Sequence, residues 1–172
     1  DNEFWLYERE FERIFTKKYG CKFALGTSSG TAALELSLLA SKVEPGDEVI
    51  TTTNTYISTA LAIKNIGAKP VFVDINEEDY NINPHKISEA VNSKTKAIVP
   101  VHIYGQSCDV KPIIKIANQH NLKIIEDACQ SYGATYHNRK TGTFGDAGCL
   151  SFFTSKNLGG LGNGGMIITG NK

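Results

Sequence analysis

Aromatic and aliphatic residues recur at helical spacing through the start of the chain. Phe4, Tyr7, Phe11, Ile14 and Phe15 stand among charged residues. Positions three and four apart lie on one face of a helix, so this stretch predicts an amphipathic helix that ends at Gly20.

Beyond this helix, short apolar runs alternate with helical patterns. The runs predict strands over 21–27, 47–53, 69–75, 96–105 (a strand with its exit loop), 122–127, 147–153 and 165–169. The intervening patterns predict helices over 31–42, 55–68, 83–92 and 109–121. Strands rich in Val and Ile that alternate with helices are typical of an α/β domain with a mostly parallel sheet, buried on both faces.

Two connections depart from this regular alternation. Only residues 154–164, a glycine-rich stretch, join the last two predicted strands. A parallel crossover needs about a dozen or more residues and usually a helix, so the last of the seven strands is expected to run antiparallel. The stretch 128–146 is a long, polar, irregular excursion, which favours a functional loop.

Composition and charge exclude several classes of protein. The 172 residues carry 18 basic and 18 acidic side chains, which argues against a dedicated binder of nucleic acid or acidic lipid. No apolar run approaches the roughly 18–20 residues of a membrane span. The four cysteines form no CxxC pair, so we expect no metal site and reduced thiols, as in a cytoplasmic protein. The sole Met166 and the end at Lys172 after a strand-like run suggest a piece of a longer protein.

The ends of the first predicted strands carry small and polar residues. GTSSGT (26–31) leads from the first strand directly into a helix. Backbone N–H groups and the positive end of the helix dipole would bind a phosphate there. Alternatively, the segment is an ordinary Ser/Thr helix cap. No GxxxxGK[ST] loop is present, and GLGNGG (160–165) precedes a strand, so neither nucleotide fingerprint applies.

Four further side chains follow strands or open a helix. Asp127 ends a hydrophobic strand, where a carboxylate is costly without a partner; it would hold a cationic ring nitrogen or cap a loop. Lys156 lies among glycines and is either a desolvated nucleophile or a solvated surface lysine. Tyr56 would stack on a flat ligand or pack in the core. For His102, a local hydrogen bond is favoured over a place in the pocket.

One cofactor would use these features together. Pyridoxal 5′-phosphate has a phosphate, a cationic ring nitrogen, a flat ring and an aldehyde. A lysine Schiff base with an aspartate partner at the ring nitrogen is its usual binding scheme.

The sequence closely resembles the DegT/DnrJ/EryC1/StrS family, the sugar aminotransferases of the aspartate aminotransferase fold (fold type I). The motifs that match, in the family's order, are GTSSGTAALELSL, PGDEVITTTNTYISTA, GAKPVFVDI, TKAIVPVHIYGQ, IIEDACQSYGA and SFFTSKNLGGLGNGGMIIT. The resemblance implies a three-layer α/β/α large domain over residues 1–172. It also implies that a short N-terminal segment and a smaller C-terminal domain lie outside this sequence.

The resemblance also implies roles for seven residues. Lys156 corresponds to the lysine that forms the Schiff base, and Asp127 to the partner of the pyridine nitrogen. Gln130 corresponds to the group near the ring 3-oxygen, and Tyr56 to the aromatic residue stacked on the ring. The phosphate contacts correspond to Gly30, Thr31 and Ser151.

Two positions refine the implied reaction. Dehydratases of this family carry histidine at the lysine position, so Lys156 favours transamination. Asn163 stands where the family usually has an acidic residue, which leaves the electrostatics of that loop open.

By resemblance, the expected activity moves an amino group from an amino acid, with glutamate as the expected donor, to a keto-sugar that is nucleotide-linked. Family members are usually cytoplasmic homodimers with a shared active site. Two alternatives stay open: an enzyme acting on a cyclitol or other non-nucleotide keto substrate, and a non-catalytic regulatory protein that binds the cofactor.

Overall fold

The computed structural model describes residues 3–170, with side chains over residues 6–170. The helices in this range are Glu3–Tyr19 (α1), Gly30–Ala40 (α2), Ser58–Asn65 (α3), Pro84–Ala90 (α4) and Val110–His120 (α5), with a 3-10 turn at Ile103–Gly105. The strands are Phe23–Thr27 (β1), Glu48–Thr52 (β2), Lys69–Val73 (β3), Thr95–Ile98 (β4), Lys123–Asp127 (β5), Thr135–Tyr136 (β6), Arg139–Lys140 (β7), Ala147–Ser151 (β8) and Gly165–Thr169 (β9). The side chain of Phe4, predicted on the apolar face of α1, lies outside the described residues, as do residues 1, 2, 171 and 172.

The main sheet has seven strands in the order β1-β9-β8-β5-β4-β2-β3. Strand β9 runs antiparallel to both of its neighbours, β1 and β8, and the other pairings are parallel. This confirms the predicted seven-stranded, mostly parallel sheet with one antiparallel strand.

Alternate residues of the central strands enter different cores, because successive side chains of a strand point to opposite faces. Val49, Ala97 and Ile125 pack with α2 and α3, whereas their neighbours pack with α4 and α5. Those neighbours are Ile50, Ile98 and Ile124. The sheet is therefore covered on both faces, which makes the domain three-layered, as predicted.

The amphipathic helix α1 covers the sheet beside α4 and α5. Its Phe15 and Tyr19 are buried against Leu150 of β8 and against Met166 and Ile168 of β9. Burial of these two large aromatic side chains stabilises the packing of α1 by a few kcal/mol in all. No helix within residues 3–170 combines the length and the apolar character that crossing a bilayer requires.

Most predicted elements differ from the structure by one or two residues at their ends, and three segments differ in a way that matters for the site or for the loop 128–146. Helix α3 begins at Ser58 rather than at residue 55, which leaves Thr55 and Tyr56 in a loop. Strand β4 ends at Ile98, and the chain beyond it reaches Val101 as a single bridge to Asp127 before the 3-10 turn. Within 128–146, β6 and β7 form a hairpin whose turn residues His137 and Asn138 both have positive φ. Two-residue turns of this geometry usually contain glycine, and the turn His137-Asn138 has none, so the hairpin was not predicted.

Candidate active site

A cavity of about 400 Å³ opens at the carboxyl ends of the parallel strands β5 and β8, beside the first turn of α2. All seven residues predicted for the site line it: Gly30, Thr31, Tyr56, Asp127, Gln130, Ser151 and Lys156. Parallel strands bring their carboxyl ends to one edge of the sheet, which is where open α/β sheets bind ligands. The topology therefore brings these scattered positions together.

The first turn of α2 forms one wall of the cavity. Ser29 is the N-cap, and its hydroxyl accepts a hydrogen bond from the backbone N–H of Ala32 at 3.1 Å. Ser29 thus caps the helix, and this cap is compatible with the binding of an anion at the same turn. The N–H groups of Gly30 and Thr31 open the helix, where backbone donors have no carbonyl partner within the helix and the dipole favours an anion.

The backbone of this turn is closely packed by its neighbours. A Cβ atom on Gly30 would lie 2.7 Å from Sγ of Cys129 and 2.9 Å from Cβ of Ser151. A Cβ atom on Gly165, at the start of β9, would lie 2.4 Å from the carbonyl carbon of Ser29. Glycine is required at both positions so that the helix start stays open on its cavity side.

Asp127 ends β5 and is 5 % exposed. Its Oδ2 accepts a hydrogen bond from the hydroxyl of Thr59 at 2.7 Å, and its Oδ1 accepts one from the backbone N–H of Cys129 at 3.1 Å. Among the side chains of residues 6–170, no ion pair is formed with this carboxylate. A buried carboxylate on a cavity wall that forms no ion pair with the described side chains is suited to a positively charged ligand atom.

Lys156 is partly buried at the turn that follows β8, where its backbone N–H donates to the carbonyl of Phe153 at 2.8 Å. Its Nζ lies 5.7 Å from the centroid of the Tyr56 ring, within the range of a cation–π contact. The lysine is therefore directed into the cavity and is not a solvated surface residue.

Tyr56 is 64 % exposed, so the interpretation of this ring as a core aromatic is wrong. The late start of α3 explains this position, because the ring is carried by the loop before the helix. Its exposed face is left available for a flat ligand in the cavity.

A buried network around Glu126 lies beside Asp127 and was not predicted. One oxygen of this fully buried carboxylate accepts from the N–H groups of Phe144 and Gly145 at 2.6 and 2.7 Å, and the other from that of Gly142 at 2.8 Å. His102 Nε2 lies 2.8 Å from the same carboxylate. Glu126 thereby holds the end of the 128–146 excursion against the strand that carries Asp127.

His102 forms local hydrogen bonds, as favoured from the sequence. The backbone N–H of Cys108 donates to its Nδ1 at 3.1 Å, so the ring proton is on Nε2 and points to Glu126. His102 is fully buried and does not line the cavity. The other histidines (His85, His120 and His137) are exposed, as expected.

Two cavity residues, Thr59 and Cys129, were also missed. Thr59 follows Thr55 by four residues, a spacing that places both on one helix face, but this signal is weak by itself. Burial and the charge of Asp127 raise the pKa of the Cys129 thiol well above its ordinary value. The thiol is therefore neutral near pH 7 and acts as packing rather than as a nucleophile. All four cysteines are free.

Asn163 also lines the cavity, with Gly164. It is exposed, and its neutral amide places no negative charge near the first turn of α2. Over the described residues, no cluster of three or more His, Cys, Asp or Glu side chains could hold a metal ion.

Comparison with known proteins gives many relatives. The chain is 47% identical over 163 residues to a pleiotropic regulatory protein of Geobacillus stearothermophilus, covering 95% of this chain and 44% of that one. It is 45% identical over 160 residues to GDP-perosamine synthase of Caulobacter vibrioides, covering 93% and 43%. The chain thus spans less than half the length of these curated relatives.

A solved structure shows the same fold. NtdA from Bacillus subtilis, crystallised with bound cofactor PMP, superposes with a TM-score of 0.91 at 41% identity, covering 96% of this chain and 37% of NtdA. Residues 6–172 match the family model over nearly the whole sequence. The chain belongs to the DegT/DnrJ/EryC1/StrS aminotransferase family.

Proposed function

We propose that this chain is the cofactor-binding large domain of a pyridoxal 5′-phosphate-dependent aminotransferase. The observation that carries the proposal is the cavity where three features meet: the first turn of α2, Lys156 and the buried Asp127, which forms no ion pair with any side chain that the structure describes. The family to which the chain belongs and the PMP bound to NtdA support the same cofactor.

The residues present fit this cofactor at each of its functional groups. The N–H groups that open α2, with the hydroxyls of Thr31 and Ser151, would bind the phosphate. Asp127 would pair with the ring nitrogen, and Tyr56 would cover one face of the ring. Gln130 would lie near the ring 3-oxygen.

Lys156 would carry the covalent attachment and the proton transfers. When bound, the cofactor supplies an electron-withdrawing ring that stabilises negative charge on the substrate carbon. Asp127 sustains that property by keeping a negative charge beside the ring nitrogen. Lys156 would also act as a general base, with its Nζ taking the proton from Cα of the amino acid donor.

The proposed substrates are an amino acid donor, with glutamate expected, and a nucleotide-linked keto-sugar. GDP-perosamine synthase supports the second substrate by its name. A cyclitol or another non-nucleotide keto compound is the alternative acceptor within the same chemistry. The similarity to a pleiotropic regulatory protein favours a second candidate function, that of a cofactor-binding regulator without turnover.

We further propose a cytoplasmic homodimer whose active site is shared between protomers, and a smaller C-terminal domain that completes the site. Exposed apolar side chains flank the cavity, among them Ile57 at 63 % and Phe153 at 47 %, which supports a covering partner. Light scattering on the full-length protein tests the dimer, and a monomer at micromolar concentration would contradict it.

The proposed activity is tested by amine transfer in the full-length protein loaded with pyridoxal phosphate. Glutamate and other amino acids are added one at a time, and formation of the pyridoxamine form is followed by absorbance. Keto-sugar nucleotides and keto-cyclitols are then offered as acceptors. We expect conversion with at least one donor and turnover with a nucleotide-linked acceptor. A protein that binds the cofactor tightly but converts it with no donor is a regulator instead.

Asp127→Ala gives a matched test of the ring-nitrogen partner. Without the carboxylate, the phosphate and lysine contacts remain, so we expect some cofactor binding but a loss of turnover of at least about 100-fold. Near-normal turnover in this variant would contradict the role proposed for Asp127.

A further inference from the structure

Two threonine hydroxyls extend inward from the cavity wall to Asp127. Oγ1 of Thr55 lies 2.8 Å from Oγ1 of Thr59, and Thr59 Oγ1 lies 2.7 Å from Oδ2 of Asp127. Thr59 is 1 % exposed, so water does not compete for its hydroxyl. Thr55 lines the cavity.

Each threonine hydroxyl has one proton to donate, and this fixes the direction of the two hydrogen bonds. A carboxylate only accepts, so the single hydroxyl proton of Thr59 goes to Asp127. The oxygen of Thr59 must then accept from Thr55, whose proton is used in turn. Both bonds run toward the carboxylate, and a hydrogen bond to a charged acceptor is about twice as strong as a neutral one.

The other oxygen of Asp127 is held by the backbone N–H of Cys129. Both carboxylate oxygens are therefore held, Oδ1 by the backbone that follows β5 and Oδ2 by a hydroxyl of α3. Without Thr59, Oδ2 of the carboxylate would lose the hydroxyl that donates to it at 2.7 Å, while Oδ1 would keep the backbone N–H of Cys129.

We propose that Thr59, supported by Thr55, is a positioning residue that aims the Asp127 carboxylate at the nitrogen of the bound heteroaromatic ring. This inference rests on the proposed function. It assigns no contact between Thr59 and the reacting atoms, because Thr59 acts through Asp127. A Thr59 substitution should therefore weaken the binding of a ligand that has the ring nitrogen more than that of a ligand without it. A residue that only stabilises the fold would affect both ligands equally.

The experiment compares two ligands in the full-length protein. The first is pyridoxal phosphate, and the second is its 1-deaza analogue, in which a C–H group replaces the ring nitrogen. Equilibrium binding of each is measured by fluorescence at pH 7.5 for the native protein and for Thr59→Val, Thr59→Ser and Thr55→Val. The ratio of the two dissociation constants reports the interaction with the ring nitrogen alone.

We expect the native protein to prefer pyridoxal phosphate, and Thr59→Val to reduce that preference about tenfold, as the loss of one charge-assisted hydrogen bond predicts. Thr59→Ser keeps the hydroxyl and should stay within about twofold of the native ratio. Thr55→Val leaves the bond to Asp127 but removes its support, so a loss of about threefold is expected.

An unchanged ratio in Thr59→Val, or equal weakening of both ligands, would overturn the proposal and would assign Thr59 a purely structural role. If Thr59→Val does not fold, Thr55→Val decides the matter, and a native ratio in that variant overturns the proposal. Failure of the proposed function is distinguishable, because the native protein would then bind neither ligand.

Discussion

At the scale of single residues, Gly30 shows how little room the anion-binding turn leaves. A methyl group there would contact Sγ of Cys129 and Cβ of Ser151 at less than 3.0 Å. We therefore expect Gly30→Ala to lower the free energy of unfolding by about 1–3 kcal/mol, as overpacking does. It should also weaken pyridoxal phosphate binding. Urea denaturation and a binding titration measure the two effects.

Gly170→Ala is the matched control for this substitution. A Cβ atom at Gly170 would meet nothing within 4 Å, and the residue is exposed. Its stability and cofactor affinity should stay at native values. Native cofactor affinity in Gly30→Ala would show that the first turn of α2 does not approach the phosphate.

Site residues were predictable from the sequence where a single charged residue stands at the end of an apolar run. Asp127 ends an apolar strand and Lys156 follows one, and both break the hydrophobic run visibly. Thr59 and Glu126 were missed for a physical reason: their roles depend on partners 68 and 16–24 positions away in the chain. The cost of burying a carboxylate, which pointed to Asp127, applied equally to its neighbour Glu126.

At the scale of elements, Glu126 fixes the excursion 128–146 to the sheet. The variant Glu126→Gln would place an amide N–H₂ against backbone N–H groups that now donate to a carboxylate oxygen. Because backbone N–H groups would be buried without an acceptor, we expect a decrease of about 1–3 kcal/mol in the free energy of unfolding. Urea denaturation checks this, with Glu89→Gln, an exposed position on α4, as the control.

The mobility of the excursion gives a second readout for this variant. Amide hydrogen exchange should accelerate in Glu126→Gln either at Gly142 or at Phe144 and Gly145, because the donors that face the amide N–H₂ group lose their acceptor. Native exchange rates together with native stability would refute the anchoring role.

Glu48, at the start of β2, binds a residue of β3 and a residue of the loop between α4 and β4. Its carboxylate accepts from Nδ2 of Asn92 at 2.8 Å and from Nζ of Lys69 at 2.9 Å. These contacts, that of Asn92 being the larger, lower the pKa of Glu48 below its ordinary value of 4.5. A lowered pKa in the folded state stabilises the fold above pH 4.5, and this stabilisation is lost as the pH falls through the folded-state pKa.

We therefore expect Glu48→Gln to be less stable than the native protein at pH 7 and to approach it in stability as the pH falls below about 4.5. Chemical denaturation of both proteins at pH 7 and near pH 4 measures the difference. A difference that stays constant, or that grows toward low pH, would contradict the ionic contribution of Glu48.

The alternation of apolar runs and helical patterns predicted the helices and strands of the main sheet, but it did not predict where each one begins and ends. Each of the seven strands of the main sheet was predicted. The central strands β2, β4 and β5 bury apolar residues on both faces of the sheet, which makes them continuous apolar runs in the sequence. The start of α3 was placed three residues too early, since Thr55 and Tyr56 fit a helical pattern while their contacts lie in the cavity. Tertiary contacts decide such boundaries, and they are absent from local sequence.

At the scale of the whole molecule, all the proposed site residues lie at one edge of a three-layered domain. All the proposed cofactor contacts come from the carboxyl ends of β5 and β8, the loops that follow them, the start of α2 and the loop before α3. The chain covers 44% and 43% of the lengths of two curated relatives, which supports our proposal that a further domain completes the site. Specificity among nucleotide sugars is therefore a property to measure on the full-length protein.

The central claim is that Lys156 carries the cofactor. Full-length protein is incubated with pyridoxal phosphate and reduced with borohydride, and its peptides are then mapped by mass spectrometry. Our account predicts a pyridoxyl label on Lys156 and its loss in Lys156→Ala, while Lys140→Ala, a change outside the cavity, keeps the label. A label on a different lysine, or none on the native protein, would contradict the account.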